Sequence, residues 1–173
     1  MIKKINTVPN IILHTKAVKC SLNTEASGEL LSSIMPTEPA VWSEEVVQLV
    51  QDLKDTAESL GDGCLGLASN QIWDKEVPPP AVFVIRMYTD SPREEFIAFI
   101  NPTVTTSGKT IKHTESCFSR PGIETTVKRE RNATVEFSTL SSKGRQSLKV
   151  FLKDSFTPIV LQHEYDHLLG KLI

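Results

Sequence analysis

At 173 residues the chain has the length expected of one domain, and residues 1–173 are read as a single unit. Hydrophobic residues make up 39% and charged residues 23%, enough to bury a core and stay soluble, which excludes disorder as the overall state. Nineteen Lys and Arg against 21 Asp and Glu leave a net charge of −2, so no positive field favours nucleic acid or an anionic membrane, and neither is expected as a partner.

The N-terminus carries Lys3 and Lys4 but no apolar run of the roughly 7–15 residues a secretory leader needs. The longest apolar stretches, Ala81–Ile85 and Phe96–Ile100, are far shorter than the about 20 residues of a spanning helix. A cytoplasmic location is expected. Cys20, Cys64 and Cys117 are odd in number, which fits free thiols in a reducing compartment rather than a disulfide framework.

Ser21 to Pro39 is polar, broken by Gly28, Pro36 and Pro39, and reads as an exposed loop without chemistry. Ser43 then supplies a helix N-cap with Glu44 and Glu45 behind it, and Val46, Leu49, Val50, Leu53, Ala57 and Leu60 recur at helical spacing before Gly61. The small residues from Gly63 to Gln71 let the backbone turn sharply or approach a ligand closely. Pro78-Pro79-Pro80 reads as a stiff surface loop. Ala81–Tyr88, Phe96–Ile100, Thr126–Leu140 and Gln146–Leu152 have strand composition, the last two joined by a hairpin-like connection at Ser141 to Gly144. The Lys128-Arg129-Glu130-Arg131 charges are expected on a partly solvated strand, and the Asn132-Ala133-Thr134 sequon is read as a polar strand edge. Thr157-Pro158 starts a last helix that Gly170 closes. The order predicts an α+β fold: mixed or antiparallel strands around a C-terminal helix, with one earlier amphipathic helix.

That last helix holds His163-Glu164-Tyr165-Asp166-His167, an HExxH spacing. At about 100° per residue both imidazoles share a face with the carboxylate beside them, so two metal ligands and a base are pre-positioned. A catalytic metal site takes a third protein ligand and an open position. The six residues after His167 offer none, which weakens a metallopeptidase reading without removing it. Cys117, in the polar stretch Glu115-Ser116-Cys117-Phe118-Ser119, would complete a Cys-His-His set, although a single cysteine is more often a small buried hydrophobe.

Gly66-Leu67-Ala68-Ser69-Asn70-Gln71, Glu115-Ser116-Cys117-Phe118-Ser119 and Gln162-His163-Glu164-Tyr165-Asp166-His167, in this order, resemble the three signature motifs of the peptide deformylases. Pro9-Asn10 with Leu13, Asn101-Pro102 and Pro121-Gly122 extend the likeness over most of the chain. The resemblance implies a metal-dependent hydrolase that removes the formyl group from N-terminal formylmethionine of nascent peptides and releases formate. By similarity, Cys117, His163 and His167 hold one divalent metal, Fe2+ favoured and Zn2+, Ni2+ or Co2+ the alternatives in purified protein. Glu164 would be the general acid/base, with the Gln71 amide and the Phe118 backbone N–H stabilising the oxyanion. Leu65, Gly66 and Leu67 would line or hydrogen-bond the substrate channel, and Glu115 would pair with Arg129 to brace the metal loop; the alternative for that pair is an ordinary surface contact worth about 0–1 kcal/mol. The implied partner is a formylmethionyl peptide, with transient ribosome contact and a monomeric state as further expectations.

Cys64, Ser69 and Ser116 stand where the pattern has glycine, alanine and glycine, and Glu124 stands where many bacterial members place an arginine. The end at Ile173 is similar to the short bacteriophage forms, and a phage origin would place the protein in the host cytoplasm. A catalytically idle, peptide-binding relative is the reading from another class. Of the remaining residues, His14 and His113 are expected at the surface or in local hydrogen bonds, Cys20 as an inert packing thiol, and Trp42 and Trp73 in partial core.

Overall fold

A computed structural model describes residues 1–21, 42–88, 94–140, 146–153 and 156–173. Apart from Ser21, the loop expected over Ser21–Pro39 lies outside the described residues, as does the hairpin connection at 141–144. The order of elements is α1 (Glu44–Ser59), β1 (Gly66–Ala68), β2 (Val82–Tyr88), β3 (Glu94–Ser116), β4 (Glu124–Thr139), β5 (Gln146–Leu152) and α2 (Thr157–Leu168), with short 3-10 turns at Ile11–His14 and Ser69–Gln71. The described strands form one antiparallel sheet in sequential order, β1-β2-β3-β4-β5. No helix among the described residues is long and apolar enough to cross a membrane.

Local chemistry sets the ends of the helices. The Ser43 side chain accepts from the Val46 N–H, and Glu44 and Glu45 meet the positive end of α1. Pro158 sits in the first turn of α2, where its missing N–H costs nothing. At the far end Gly170 adopts φ 74°, its N–H reaches the His167 carbonyl and the Lys171 N–H reaches that of Asp166, which is the Schellman arrangement that satisfies free carbonyls.

Strand alternation divides the core. Leu67, Val82, Val84, Ala98 and Ile100 face α1 and join Val46, Leu49, Val50 and Leu53. Ala68, Phe83, Ile85, Phe99, Val135 and Phe137 face the other way and join Val160, Leu161 and Leu168 of α2. The sheet thus lies between the two helices. Trp42 and Trp73 are fully part of the first cluster.

β3 is much longer than the expected Phe96–Ile100, because that apolar run marks only its buried half. Past two register shifts, at Ile100/Thr103 and Ser107/Thr110, it pairs with β4 through a second, mostly polar half that ends on Ser116↔Glu124. Asn101, at φ 52°, turns the strand at the first irregularity, and its side-chain amide both accepts from the Cys20 N–H (2.7 Å) and donates to the Cys20 carbonyl (3.1 Å). The polar half carries Glu115 to the sheet end nearest α2, and Cys117 follows in the turn to β4.

Candidate active site

His163 and His167 lie one turn apart on α2, and the β3–β4 turn brings Cys117 against them. His167 Nε2 is 3.3 Å from Cys117 Sγ and 3.3 Å from His163 Nε2, and one ligand atom from each residue falls within 4.8 Å of the others. Ligands held at about 2.0–2.3 Å around one tetrahedral ion stand roughly 3.3–3.8 Å apart, so the spacing and the thiolate-imidazole chemistry both fit a single divalent metal. Burial opposes a positive His163, but the Cys117 sulfur and the Glu115 carboxylate outweigh it and raise His163 to about 10, while burial and the neighbouring His163 lower His167 to about 3 and keep that imidazole neutral, the form that ligates a metal.

A carboxylate chain orients the first histidine. His163 Nδ1 lies 2.8 Å from Glu115 Oε2. Arg129 clasps Glu115 with two donors, Nε to Oε1 and Nη2 to Oε2, both at 2.8 Å, and reaches Asp166 Oδ2 through Nη1 at 2.6 Å. Arg129 is 6% exposed, so the surface-pair alternative is corrected, while the partly solvated strand expected here holds for Lys128 and Arg131, which are exposed. Alternation along the strand sends Lys128 outward and Arg129 inward, and Arg131 lies at the register shift opposite Ser107/Thr110, where the alternation breaks. Burial alone would raise Glu115, yet the hydrogen bonds from Arg129 and His163 hold it at about 2.

Glu164 is 4% exposed and its Oε2 is a buried oxygen with no hydrogen-bond partner among the described residues. Burial pushes its carboxyl up to about 7, the range in which a group both takes and returns protons at neutral pH. β1 passes directly behind it: a Cβ built on Gly66 would stand 2.6 Å from Glu164 Oε1. Cys64 is fully buried there too, its thiol pushed to about 12 by burial and by Glu164, and donating to the Gly66 carbonyl at 3.4 Å. Gln71 is held at both ends, its Oε1 accepting from the Ala68 N–H (2.9 Å) and its Nε2 3.3 Å from Ser119 Oγ and 3.5 Å from Cys117 Sγ.

These groups open onto a cleft of ≈ 650 Å³ lined by Leu65, Gly66, Gln71, Cys117, Phe118, His163 and Glu164, with Phe156, Ile159 and Val160 beside them. Two expectations change. Leu67 is 0% exposed and packs in the α1 cluster, because it alternates with Gly66 and turns its side chain away from the cleft. His113, expected at the surface or in local hydrogen bonds and given no place in the site, lines the cleft with its ring 5.3 Å from that of Phe156. The motifs contained Ser119, Asn70 and Asp166, but spacing gave them no role; Asn70 Nδ2 donates to the His167 carbonyl. His14 is exposed, and burial pushes the Cys20 thiol to about 12, as suits an inert thiol.

A model of the polypeptide deformylase family matches residues 2–173. The chain belongs to the peptide deformylase family. It is 37% identical over 141 residues to the peptide deformylase of Aquifex aeolicus, across 78% of this chain and 75% of that one. Peptide deformylase 2 of Vibrio parahaemolyticus is 35% identical over 124 residues, across 72% and 67%. The fold is similar to a probable peptide deformylase from Synechococcus phage S-SSM7, with TM-score 0.73 at 23% identity over 98% and 96% of the two chains. It is equally similar to a Met-Ala-Ser-bound class I type b peptide deformylase from Acinetobacter baumannii, with TM-score 0.74 at 20% identity over 99% and 96%. Membership makes the protein a hydrolase that removes the N-formyl group from nascent peptides with one catalytic metal, and the metallopeptidase reading of HExxH falls away.

Proposed function

We propose that Cys117, His163 and His167 hold the catalytic metal, that Glu164 moves the protons, and that the peptide enters along the cleft beside β1. The observation that carries this is the convergence of the three ligand atoms within 4.8 Å next to a buried carboxyl at about 7. Iron(II) is the favoured ion, with zinc, nickel and cobalt as replacements; iron's low place in the affinity order makes it easily exchanged on purification. When bound, the cation supplies Lewis acidity that turns water into a nucleophile near neutral pH and polarises the formyl carbonyl.

The chain's own groups do the rest. Glu164, which lines the cleft and whose Oε2 has no hydrogen-bond partner among the described residues, takes a proton as water adds to the formyl carbon. Negative charge then grows on the formyl oxygen, where the Gln71 Nε2–H and the Phe118 backbone N–H are the donors; losing one such donor commonly costs about 3–4 kcal/mol. Ala68, holding Gln71 Oε1, keeps that amide aimed. As the carbon–nitrogen bond breaks, Glu164 returns its proton to the amine, so one water and one formyl amide become formate and a free N-terminus. Leu65, Phe156, Ile159 and Val160 give the methionine side chain an apolar place, and the Met-Ala-Ser complex of the Acinetobacter baumannii enzyme supports a short peptide in this cleft. Gly66 and Leu67 contribute backbone alone to that channel.

The same reading takes residues 1–173 as one catalytic domain, because both core clusters share one sheet, acting as a cytoplasmic monomer with transient ribosome contact. Formate release from a formyl-Met-Ala peptide tests the site. Glu164→Gln should keep its metal and lose about 100-fold or more of kcat, and Cys117→Ala should lose the metal itself. Undiminished turnover in Glu164→Gln would overturn the assignment.

A further inference from the structure

We propose that His113 is a specificity-determining residue of the cleft, widening the accepted first side chain from methionine to others of its length that end in a hydrogen-bonding group, glutamine foremost. The proposal rests on the reading that the first side chain of the substrate lies in this cleft. Its near wall is apolar, made by Leu65, Phe156, Ile159 and Val160. Into that wall β3 sets an imidazole, ring to ring with Phe156 at 5.3 Å and 52°.

Beside Glu164, which the reaction uses, three polar side chains around the cleft are already engaged. Glu115 is taken by Arg129 and His163, Gln71 by Ala68 and Ser119, and Thr114 by Thr126. His113 is not. Its Nδ1 is buried without a hydrogen bond, since the nearest carboxylate oxygen, Glu115 Oε1, is 3.7 Å away and already receives Arg129 Nε at 2.8 Å. That buried Nδ1 is closed to a ligand, so the hydrogen bond to the cleft falls to the other ring nitrogen, Nε2, which is not among the buried unpartnered atoms of a side chain 25% exposed.

A neutral imidazole carries one donor and one acceptor, and a carboxamide carries both, so a glutamine side chain matches either tautomer. Glutamine and methionine side chains have the same reach. An apolar cleft without His113 would strip water from that carboxamide and return nothing, which is the situation that penalises a polar group most.

The test compares kcat/KM for formate release from formyl-Met-Ala, formyl-norleucine-Ala and formyl-Gln-Ala peptides. His113→Leu should lower the formyl-Gln to formyl-norleucine ratio about tenfold, the worth of one hydrogen bond of ordinary strength, chiefly through KM. His113→Ala should shift the ratio the same way, and His113→Gln, which keeps a donor and an acceptor, should restore it. An unchanged ratio in both apolar variants overturns the proposal, as does an equal fall for all three peptides, the mark of a merely structural role. Wild-type protein that releases no formate from formyl-Met-Ala in a Glu164-dependent way would instead bring down the underlying placement of the site.

Discussion

Gly66 shows how closely the site is fitted at the level of single residues. Its missing side chain is the space that Glu164 occupies, 2.6 Å from where a Cβ would stand, and Glu164 is too buried to swing aside. Gly66→Ala should therefore move the carboxyl by a fraction of an ångström and cut kcat by about 10–100-fold, with metal content unchanged when measured by elemental analysis. What could be read from the sequence at this scale was local. His163 and His167 sit one helical turn apart with Glu164 beside them, so the shared face of the two imidazoles follows from spacing alone. His113 could not be found that way, since the groups that give it meaning, Phe156 and the already occupied Glu115, reach it from α2 and from the pairing of β3 with β4. The Leu67 side chain does not line the channel for a simpler reason: adjacent strand residues point to opposite faces, so a channel-lining Gly66 implies an inward Leu67.

Among the elements, α2 carries both histidines, and its position depends on its C-terminal cap. Gly170 at φ 74° stands where a Cβ would lie 2.6 Å from the His14 carbonyl oxygen, and the Ala17 N–H caps the Leu168 carbonyl at 2.9 Å. Gly170→Ala should cost about 1 kcal/mol or more, read as a lowered thermal midpoint, while activity below the transition is retained. Both helices were visible in the sequence because capping residues and apolar periodicity act over a few residues. The polar half of β3 was not. Its threonines and lysines carry no buried alternation, and only the facing strand β4 makes them a ladder.

For the molecule as a whole, one buried charge chain ties three elements together: Glu115 on β3, Arg129 on β4, and His163 with Asp166 on α2. Removing one partner of such a buried pair typically costs about 3–5 kcal/mol, and Arg129→Ala should show it in denaturant unfolding together with weaker metal retention. The acid limb follows from the same chain. Glu115 is held at about 2, below its ordinary 4.5, so its contribution is complete above 4.5 and is lost as pH falls through about 2. Glu115→Gln should lose that part of the acid dependence, giving a flatter stability profile between those pH values.

The sheet is a sequential meander, so each strand pairs with the one made just before it, whereas the ligand set closes only when α2 docks on the turn that carries Cys117. Hairpins of this kind form early and long-range docking comes late. The cation then has no complete seat until the last step, and it acts on the native state after the main barrier. Its addition should slow unfolding in a denaturant jump while leaving the refolding rate nearly untouched, so a chain short of metal should come apart sooner than a loaded one.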